Sequence, residues 1–348
     1  MFLSQKTVVI SGGGTGGHIF PALSIANRLD REGVRVIYIG SSLGIEKRIV
    51  RRDRMYLLPV IGWVDRNIFG KFAFLLRFIP SILFSMYIIL RYRPKAILLT
   101  GGFASGPIGI AGIICRLPIF TLILDSYPGL AVRLFSRYSV EVFLPFDNDF
   151  STIPASNKTV TGIPVRDYIL TADKNEAIKY FSLDNDKKTL LVIGGSRGAK
   201  TLVELAEELI PKMDKNIWQF IIQTGDHKLK CKGENIKEFK FIDRIDLAYA
   251  IADIIIARSG AMVTAEIEQS GIPTVFIPYP YAYKDHQFYN AKRLAENRAN
   301  IRVIREGEIN IENLIGIINH LSDKRLIVRR EDATEKIIKK MEEYVWEN

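Results

Sequence analysis

Residues 6–13 read Lys-Thr-Val-Val-Ile-Ser-Gly-Gly and residues 188–195 read Lys-Thr-Leu-Leu-Val-Ile-Gly-Gly, so one pattern occurs twice, about half a chain apart. In each copy a short apolar run leads into paired glycines, which is typical of a buried strand that ends in a turn. A longer helical stretch follows both copies. Each half therefore opens like the first strand, loop and helix of a doubly wound α/β domain.

Short β-branched runs alternate with helical stretches through both halves. Unbroken apolar strands separated by helices indicate parallel sheets that are covered on both faces. We therefore predict two doubly wound, Rossmann-like domains, with a boundary near Gly162-Ile163-Pro164 and a final exposed helix over Ala333 to Trp346. The predicted strands are Thr7–Ile10, Val34–Ile39, Ala96–Thr100, Ile119–Leu124, Val140–Leu144, Thr159–Val160, Thr189–Ile193, Trp218–Gln223, Phe239–Ile242, Ile254–Ala257, Thr274–Ile277 and Arg302–Ile304.

Length and composition agree with this organisation. A chain of 348 residues exceeds what one hydrophobic core usually organises. Its 48% hydrophobic and 25% charged residues exclude disordered and fibrous classes. The two cysteines, Cys115 and Cys231, lie far apart in the sequence and have no CxxC partner. We therefore expect neither a disulfide framework nor a zinc site, as suits a reducing cytosol.

The net charge of +10 is unevenly distributed. Residues 1–165 carry 19 basic and 9 acidic residues, whereas residues 166–348 carry 29 of each. A basic half beside a neutral half indicates that the first domain meets a polyanion or an anionic membrane surface and that the second does not.

One segment of the basic half is strongly apolar. Phe72 to Leu90 is interrupted only by Arg77, Pro80 and two serines, and its charge-free part is shorter than the roughly 20 residues that a spanning helix needs. We therefore expect this segment not to cross a membrane. Basic residues flank it without an intervening acid, which suits a helix that lies in a membrane interface.

Two interpretations of this segment stay open. In one, phenylalanines enter the acyl boundary, and Phe72, Phe74 and Phe78 are the predicted membrane residues. In the other, the segment is a core helix with a basic rim. Helical spacing predicts that the core-facing residues are Ile82, Met86, Ile89 and Leu90.

Three glycine-rich loops follow predicted strands, at residues 11–18, 100–107 and 194–199. Glycines let a backbone approach a phosphate closely, and a following helix N-terminus supplies amide donors. Gly12, Gly14 and Gly17 formally satisfy a dinucleotide fingerprint, but Ile39 is followed by Gly40 rather than by the acid that would hold a ribose. We therefore expect anion sites and disfavour a nicotinamide enzyme.

The loops also carry a family resemblance that spans almost the whole chain. Together these segments resemble the MurG family, whose members transfer N-acetylglucosamine from its UDP sugar to undecaprenyl-diphosphate N-acetylmuramyl-pentapeptide. The matching segments are Gly13-Gly14-Thr15-Gly16-Gly17-His18-Ile19-Phe20-Pro21-Ala22, Gly101-Gly102-Phe103-Ala104-Ser105-Gly106-Pro107, Gly162-Ile163-Pro164-Val165-Arg166, Gly194-Gly195-Ser196-Arg197-Gly198-Ala199, Arg258-Ser259-Gly260-Ala261, and Asp285-His286-Gln287 with Asn290-Ala291.

The resemblance implies an α/β fold of the GT-B type, with two parallel sheets that face an interdomain cleft. Residues 1–162 with 333–348 would bind the acceptor lipid and an anionic membrane surface, and residues 163–332 would bind the UDP sugar. The implied enzyme is an inverting transferase of peptidoglycan synthesis, peripheral on the cytoplasmic face of the inner membrane. We expect it to need no cofactor and no metal and to bind no nucleic acid.

The resemblance also assigns binding residues. Glu266 would hold the ribose hydroxyls, Ser196 a phosphate, and the backbone at Ile242 the uracil. Gln287 would reach the sugar, with Asp285 beside it or capping the next helix. The donor-site set implied is Thr15, Gly16, Gly17, Arg166, Ser196, Ile242, Arg258, Ala261, Met262, Glu266 and Gln287. The set for the acceptor diphosphate is Gly14, Thr15, Gly102, Ser105 and Gly106.

His18 and Asp125 are the catalytic candidates. His18 leaves the first glycine loop at a helix N-terminus, which disfavours a charged ring, so a neutral imidazole could take a proton from the acceptor hydroxyl. A positioning role is the competing interpretation. The family shows His-Glu-Gln-Asn where this chain reads Leu124-Asp125-Ser126-Tyr127, so only a shorter carboxylate is kept. Two smaller differences from the family are Arg197, where glutamine is usual, and Phe288, where a polar residue is frequent. Both leave the donor site recognisable.

Other functions stay open on the sequence. The changed segment at 124–127 favours a transferase with another membrane glycolipid as acceptor, or an idle protein that only binds nucleotide sugars. A UDP-N-acetylglucosamine epimerase would need no membrane patch. Two Asp-x-Asp triplets, Asp147-Asn148-Asp149 and Asp184-Asn185-Asp186, fall in predicted loops, and we interpret both as turn residues rather than as metal ligands.

Overall fold

The structure, a computed structural model, describes residues 6–60, 68–147, 153–195, 198–328 and 332–346, with the backbone alone for 68–73, 167 and 170. The chain divides into two compact units. Unit 1 comprises Met1–Val165 and Asp332–Asn348, and unit 2 comprises Arg166–Glu331.

Unit 1 is a seven-stranded parallel sheet in the order β3-β2-β1-β4-β5-β6-β7. Helices connect the successive strands from β1 to β6, as is usual for parallel pairing. The elements are β1 (Thr7–Gly12), α1 (Gly16–Arg31), β2 (Arg35–Ser41), α2 (Glu46–Ile49), β3 (Met55–Leu58), α3 (Ile68–Tyr92), β4 (Ala96–Gly101), α4 (Ser105–Ile114), β5 (Ile119–Leu122), α5 (Leu130–Ser136), β6 (Glu141–Leu144) and β7 (Lys158–Val160).

Unit 2 is a six-stranded parallel sheet in the order β10-β9-β8-β11-β12-β13. Its central strands are buried except for Lys188 at the start of β8. The elements are α6 (Lys174–Phe181), β8 (Lys188–Ile193), α7 (Lys200–Leu209), β9 (Trp218–Gln223), β10 (Ile236–Phe239), α8 (Ile245–Ile251), β11 (Ile254–Ala257), α9 (Ala261–Ser270), β12 (Thr274–Phe276), α10 (His286–Asn297), β13 (Ile301–Val303) and α11 (Ile311–Leu321).

The last helix, α12 (Ala333–Val345), belongs to unit 1 and packs on α1. Ile337, Ile338 and Met341 are buried, so the expectation of an exposed helix was wrong. These three residues recur at i, i+1 and i+4, and they form one apolar stripe on a helix that is otherwise charged. Burial of this stripe holds α12 against α1 in unit 1.

Two strand assignments also need correction. β3 was not predicted, because its four residues, Met55–Leu58, form a mostly half-buried edge strand between charged residues. β10 occupies Ile236–Phe239 rather than Phe239–Ile242. Ile242 is buried beyond the end of that strand, so its apolar character reflects packing in a loop and not a place in the sheet.

Helix α3 is longer than expected. By length and mean hydropathy, its segment Phe74–Tyr92 is sufficient to cross a membrane, so the expectation that it is too short was wrong. The buried cores of many proteins contain helices that pass the same test. One side of α3 packs on α4 and buries Ser85, Ile88 and Ile89, which makes this helix part of the unit 1 fold.

Candidate active site

The first glycine loop lies between β1 and α1. Gly14 has φ +92°, and a Cβ there would lie 2.6 Å from the ring of Phe103, so the turn requires glycine. Gly16 and Gly17 are the first two residues of α1, and their N–H groups therefore have no acceptor within the helix. Together with the helix dipole, these amides form an anion site.

The amide of Gly14 is used differently. It donates to Oε1 of Glu46 at 2.8 Å and so points into the protein rather than toward a ligand. Thr15 is exposed beside it and caps α1 without a side-chain hydrogen bond. Of the predicted acceptor residues, Gly14 thus shapes the turn and Thr15 is exposed. Gly16 and Gly17, which the resemblance places in the donor-site set, present free amides at the start of α1.

The second glycine loop touches the first. Gly101 and Gly102 both have positive φ, and a Cβ at Gly102 would lie 2.0 Å from the carbonyl oxygen of Gly13. The hydroxyl of Ser105 is buried and donates to the carbonyl oxygen of Gly101 at 2.8 Å. This hydroxyl therefore serves the loop itself, and the place of Ser105 at the acceptor's diphosphate stays a prediction.

His18 lies in the first turn of α1 and is fixed by Thr100 at the end of β4. Its Nδ1 lies 2.8 Å from the carbonyl oxygen of Thr100, and the Thr100 hydroxyl donates to the backbone oxygen of His18 at 2.8 Å. A carbonyl oxygen only accepts, so Nδ1 carries the proton. The lone pair of a neutral ring is then on Nε2, as a general base requires.

Asp125, the other catalytic candidate, follows β5 and is half-buried. β5 pairs with β4, which pairs with β1. Because the carboxyl ends of parallel strands lie at one edge of a sheet, Asp125 and the two glycine loops share that edge. Its catalytic role stays a prediction.

In unit 2 the third glycine loop follows β8. Ser196 and Arg197 lie outside the described residues. Gln223, at the end of β9, donates through Nε2 to the carbonyl oxygen of Gly195 at 2.6 Å and accepts from the N–H of Ile242 at 3.3 Å. Sequence reasoning missed Gln223, which ties the loop to the backbone predicted to meet the uracil.

The most buried charged cluster of the donor-site set surrounds Glu266 on α9. Arg166 donates to its Oε1 at 2.9 Å, and the hydroxyl of Tyr249 donates to its Oε2 at 3.0 Å. Burial raises the pKa of Tyr249 well above its ordinary value, and Glu266 adds to that shift. Burial opposes the charge of Arg166, yet Glu266 together with Tyr168 and Tyr249 outweighs it, and the pKa of the guanidinium is raised. Both partners are therefore hydrogen donors to Glu266 at any ordinary pH.

The other predicted donor-site arginine is held by its own unit. Arg258 is almost fully buried, and its Nη1 donates to the carbonyl oxygens of Ile277 and Pro278, each at 3.0 Å. Its Nη2 is paired with Glu306. A diphosphate would have to compete with these contacts. Arg258 is therefore less available to bind a ligand than the sequence indicated.

Helix α9 and the loop before α10 hold the remaining predicted donor residues. Ala261 and Met262 are the first two residues of α9 and offer free amides at its N-terminus. Gln287 accepts from the N–H of Tyr279 at 3.1 Å, which leaves its amide nitrogen to donate. Asp285 makes no capping hydrogen bond and pairs with Arg305 at 2.7 Å, so the capping interpretation was wrong.

The second Asp-x-Asp triplet closes a turn. Oδ1 of Asp184 accepts from the N–H of Asp186 at 2.9 Å. Asn148 and Asp149 of the first triplet lie outside the described residues. Within the part of the chain that the structure describes, no group of three or more His, Cys, Asp or Glu side chains is arranged to hold a metal ion.

The apolar surface of α3 differs from the one predicted. Phe78 is half-buried against the unit 1 core, and its ring would contact a Cβ at Gly106 at 2.9 Å, so its assignment to the membrane needs correction. Phe74 stacks on Phe78 with ring centroids 4.7 Å apart, and the side chain of Phe72 lies outside the described residues. Leu90, expected in the core, is 69% exposed. Among the side chains of α3 that the structure describes, from Phe74 onward, the exposed large apolar ones are Leu75, Leu76, Ile79, Leu83, Phe84, Tyr87 and Leu90.

Comparison with known proteins agrees with the resemblance. Residues 8–144 match the model of the glycosyltransferase family 28 N-terminal domain, and residues 189–345 match that of its C-terminal domain. Two similar proteins are each named UDP-N-acetylglucosamine–N-acetylmuramyl-(pentapeptide) pyrophosphoryl-undecaprenol N-acetylglucosamine transferase. That of Flavobacterium psychrophilum is 34% identical, covering 96% of this chain and 93% of the relative, and that of Bacillus subtilis is 31% identical, covering 90% of each.

Solved structures establish the fold. The crystal structure of Acinetobacter baumannii MurG matches with a TM-score of 0.73 at 23% identity, covering 97% of this chain and 99% of that one. A Neisseria meningitidis UDP-GlcNAc 2-epimerase matches with a TM-score of 0.69 at 13% identity, covering 97% and 100%. These likenesses confirm the GT-B fold, and the curated relatives confirm the family: the chain belongs to the MurG family of glycosyltransferases.

Proposed function

We propose that the chain is an inverting transferase that moves N-acetylglucosamine from UDP-N-acetylglucosamine to undecaprenyl-diphosphate N-acetylmuramyl-pentapeptide. The observation that carries the proposal is the first glycine loop, where free amides at the start of α1 lie beside His18 with its lone pair on Nε2. The resemblance places Gly16 and Gly17 in the donor-site set, but we assign their amides to the acceptor's diphosphate, because they lie beside the imidazole that suits the acceptor's hydroxyl. Relatives that bear this activity in their names cover over nine-tenths of the chain.

The proposed reaction is a single displacement. The acceptor 4-hydroxyl attacks the anomeric carbon, its proton passes to Nε2 of His18, and the bond from that carbon to the UDP oxygen breaks, which produces a β linkage. Amides at the N-terminus of α9 and in the third glycine loop stabilise the charge on the departing diphosphate. Glu266 holds the ribose, and Gln287 donates to a sugar hydroxyl.

The test uses labelled UDP-N-acetylglucosamine with and without the lipid-linked muramyl-pentapeptide. We expect label in the lipid phase only when that acceptor is present. Transfer to a different membrane glycolipid alone would favour the alternative acceptor raised by Leu124-Asp125-Ser126-Tyr127. Epimerised sugar without acceptor, or UDP binding without turnover, would contradict the proposal.

We further propose that the protein is peripheral on an anionic membrane surface, through the exposed face of α3. Leu76, Ile79 and Leu83 lie at helical spacing and are each more than half exposed. Arg77 and Arg91 on the same helix are exposed as well. Apolar side chains can then enter the acyl boundary while the cations meet lipid headgroups.

Changing Leu76, Ile79 and Leu83 to serine is expected to lower affinity for anionic vesicles roughly a hundredfold, because each apolar side chain withheld from lipid costs on the order of 1 kcal/mol. Vesicle flotation measures this effect. Ile217→Ser, at a similarly exposed position in unit 2, is the control and should float like the original chain. Equal flotation of the triple variant and the control would refute this surface.

A further inference from the structure

Glu46 is a fully buried carboxylate that the proposed reaction does not use. It is the first residue of α2, and its Oε1 accepts from the N–H of Gly14 at 2.8 Å and from the N–H of Ser41 at 2.7 Å. Its Oε2 is buried and has no hydrogen-bond partner in the described part of the chain. One side chain thus links the first glycine loop to the end of β2.

Three glycines make room for this side chain. A Cβ at Gly13 would lie 2.4 Å from Oε1, one at Gly44 would lie 2.0 Å from Oε2, and one at Gly40 would lie 2.9 Å from Cγ. A Cβ atom does not approach another heavy atom this closely, so these positions exclude larger residues while Glu46 keeps its place. Several positions around the loop are therefore shaped by one carboxylate.

The benefit of this carboxylate must be conformational. Burying a charged group costs free energy, and a negative charge beneath an anion site repels the anion. What Glu46 supplies is a pair of charge-assisted hydrogen bonds to backbone amides. The bond to Gly14 turns that amide inward at φ +92°, and the chain then enters α1 with the N–H groups of Gly16 and Gly17 unpaired within the helix.

We propose that Glu46 is the positioning residue of the first glycine loop, and that it fixes the orientation of the amides that receive the acceptor's diphosphate. This inference rests on the proposed function, since it specifies how the acceptor side of that site is held. Glu46 itself touches no substrate and acts through the backbone of the loop.

Removing the carboxylate should impair acceptor binding and spare the donor. We expect Glu46→Ala to raise the KM for the lipid-linked acceptor roughly tenfold to a hundredfold, because small misplacements of binding groups are costly. Its Kd for UDP should change less than twofold. Glu46→Gln keeps an oxygen for both amides and should restore most of the acceptor affinity.

Glu141→Ala is the matched control. Glu141 is a buried carboxylate of the same unit that accepts a hydrogen bond from Thr159, and it lies at the start of β6 and so at the opposite edge of the sheet from the glycine loops. The Glu141→Ala variant should have lower thermal stability and an unchanged acceptor KM. A rise in the acceptor KM that is equal in Glu46→Ala and Glu141→Ala would reduce Glu46 to a general stabilising role and overturn the proposal. If Glu46→Ala does not fold, Gly44→Ala is the alternative variant. Its added Cβ would lie 2.0 Å from Oε2 of Glu46 and so displaces the carboxylate without removing it, and this variant should raise the acceptor KM in the same way.

A readout independent of turnover separates this inference from the proposed function. Amide hydrogen exchange should show Gly14 and Ser41 protected in the original chain and in Glu46→Gln but exchanging at least tenfold faster in Glu46→Ala. Faster exchange with an unchanged acceptor KM would overturn the positioning role while leaving transferase activity intact. Absence of transfer in the original chain would instead refute the proposed function.

Discussion

Replacing His18 with asparagine is expected to lower kcat by roughly 10²- to 10⁴-fold, the range that general-base catalysis contributes. Asparagine places its amide nitrogen near the position of Nδ1, so the hydrogen bond to the carbonyl oxygen of Thr100 can persist. The nitrogen lost is Nε2, which holds the lone pair in the proposed reaction. The variant therefore removes the base while keeping the turn of α1 in place.

Steady-state kinetics with both substrates measure this effect. The Kd for UDP should stay within about twofold of the original value, since the donor contacts proposed for unit 2 are untouched. His320→Asn, at an exposed position near the end of α11, is the matched control and should leave kcat unchanged. A His18→Asn enzyme with full kcat and a raised acceptor KM would show that His18 only positions the acceptor.

The place of His18 could be predicted from the sequence, and its protonation could not. A strand followed by glycines and a helix fixes the position of the loop, because these relations are local. The tautomer depends on Thr100, which is 82 positions away and comes close only through the pairing of β1 with β4. The sequence indicates such a contact only when the strand order is known.

The fold followed from local patterns wherever strands were apolar and central. β4, β8 and β11 were each predicted within one residue at either end, and β1 begins where predicted but extends two residues further, to Gly12. All four strands are buried along nearly their whole lengths. The edge strand β3 carries no comparable pattern, because its residues are mostly half-buried. The β-propensity of single residues is a weak guide to an edge strand, because packing against neighbouring strands and exposure to solvent both change which residues are favoured there.

The residues that organise the site were harder to find than those predicted to touch ligands. Glu46 and Tyr249 resemble ordinary polar residues of helices in the sequence. Their importance arises from partners that are distant in the chain, Gly14 for the first and Glu266 for the second. Similarly, of the four residues of α3 that helical spacing predicted to face the core, Ile89 is buried, Ile82 and Met86 are half-buried and Leu90 is exposed, because both faces of this helix are apolar.

Replacing Glu266 with glutamine is expected to weaken UDP binding roughly 10- to 100-fold, the worth of hydrogen bonds to a charged group. Each carboxylate oxygen already accepts one hydrogen bond, from Arg166 or from Tyr249. An ionised carboxylate has about four acceptor positions, so two are left for the vicinal hydroxyls of a ribose. Glutamine replaces one of the acceptors with a donor and removes the charge that holds Arg166.

Binding calorimetry with UDP and with its 2′,3′-dideoxy analogue distinguishes a ribose contact from a loss of packing. If Glu266 holds the diol, Glu266→Gln weakens the binding of UDP but hardly changes the binding of the analogue. The analogue lacks the hydroxyls that Glu266 would bind. Tyr249→Phe, which keeps the charge pair and removes one hydrogen bond, should show a smaller effect with the same dependence on the ligand. Glu268→Gln removes a carboxylate of the same helix that is paired with Arg293, and it should leave both affinities unchanged. A penalty for Glu266→Gln that is equal with both ligands would mean that the carboxylate supports the fold of unit 2 and does not bind the nucleotide.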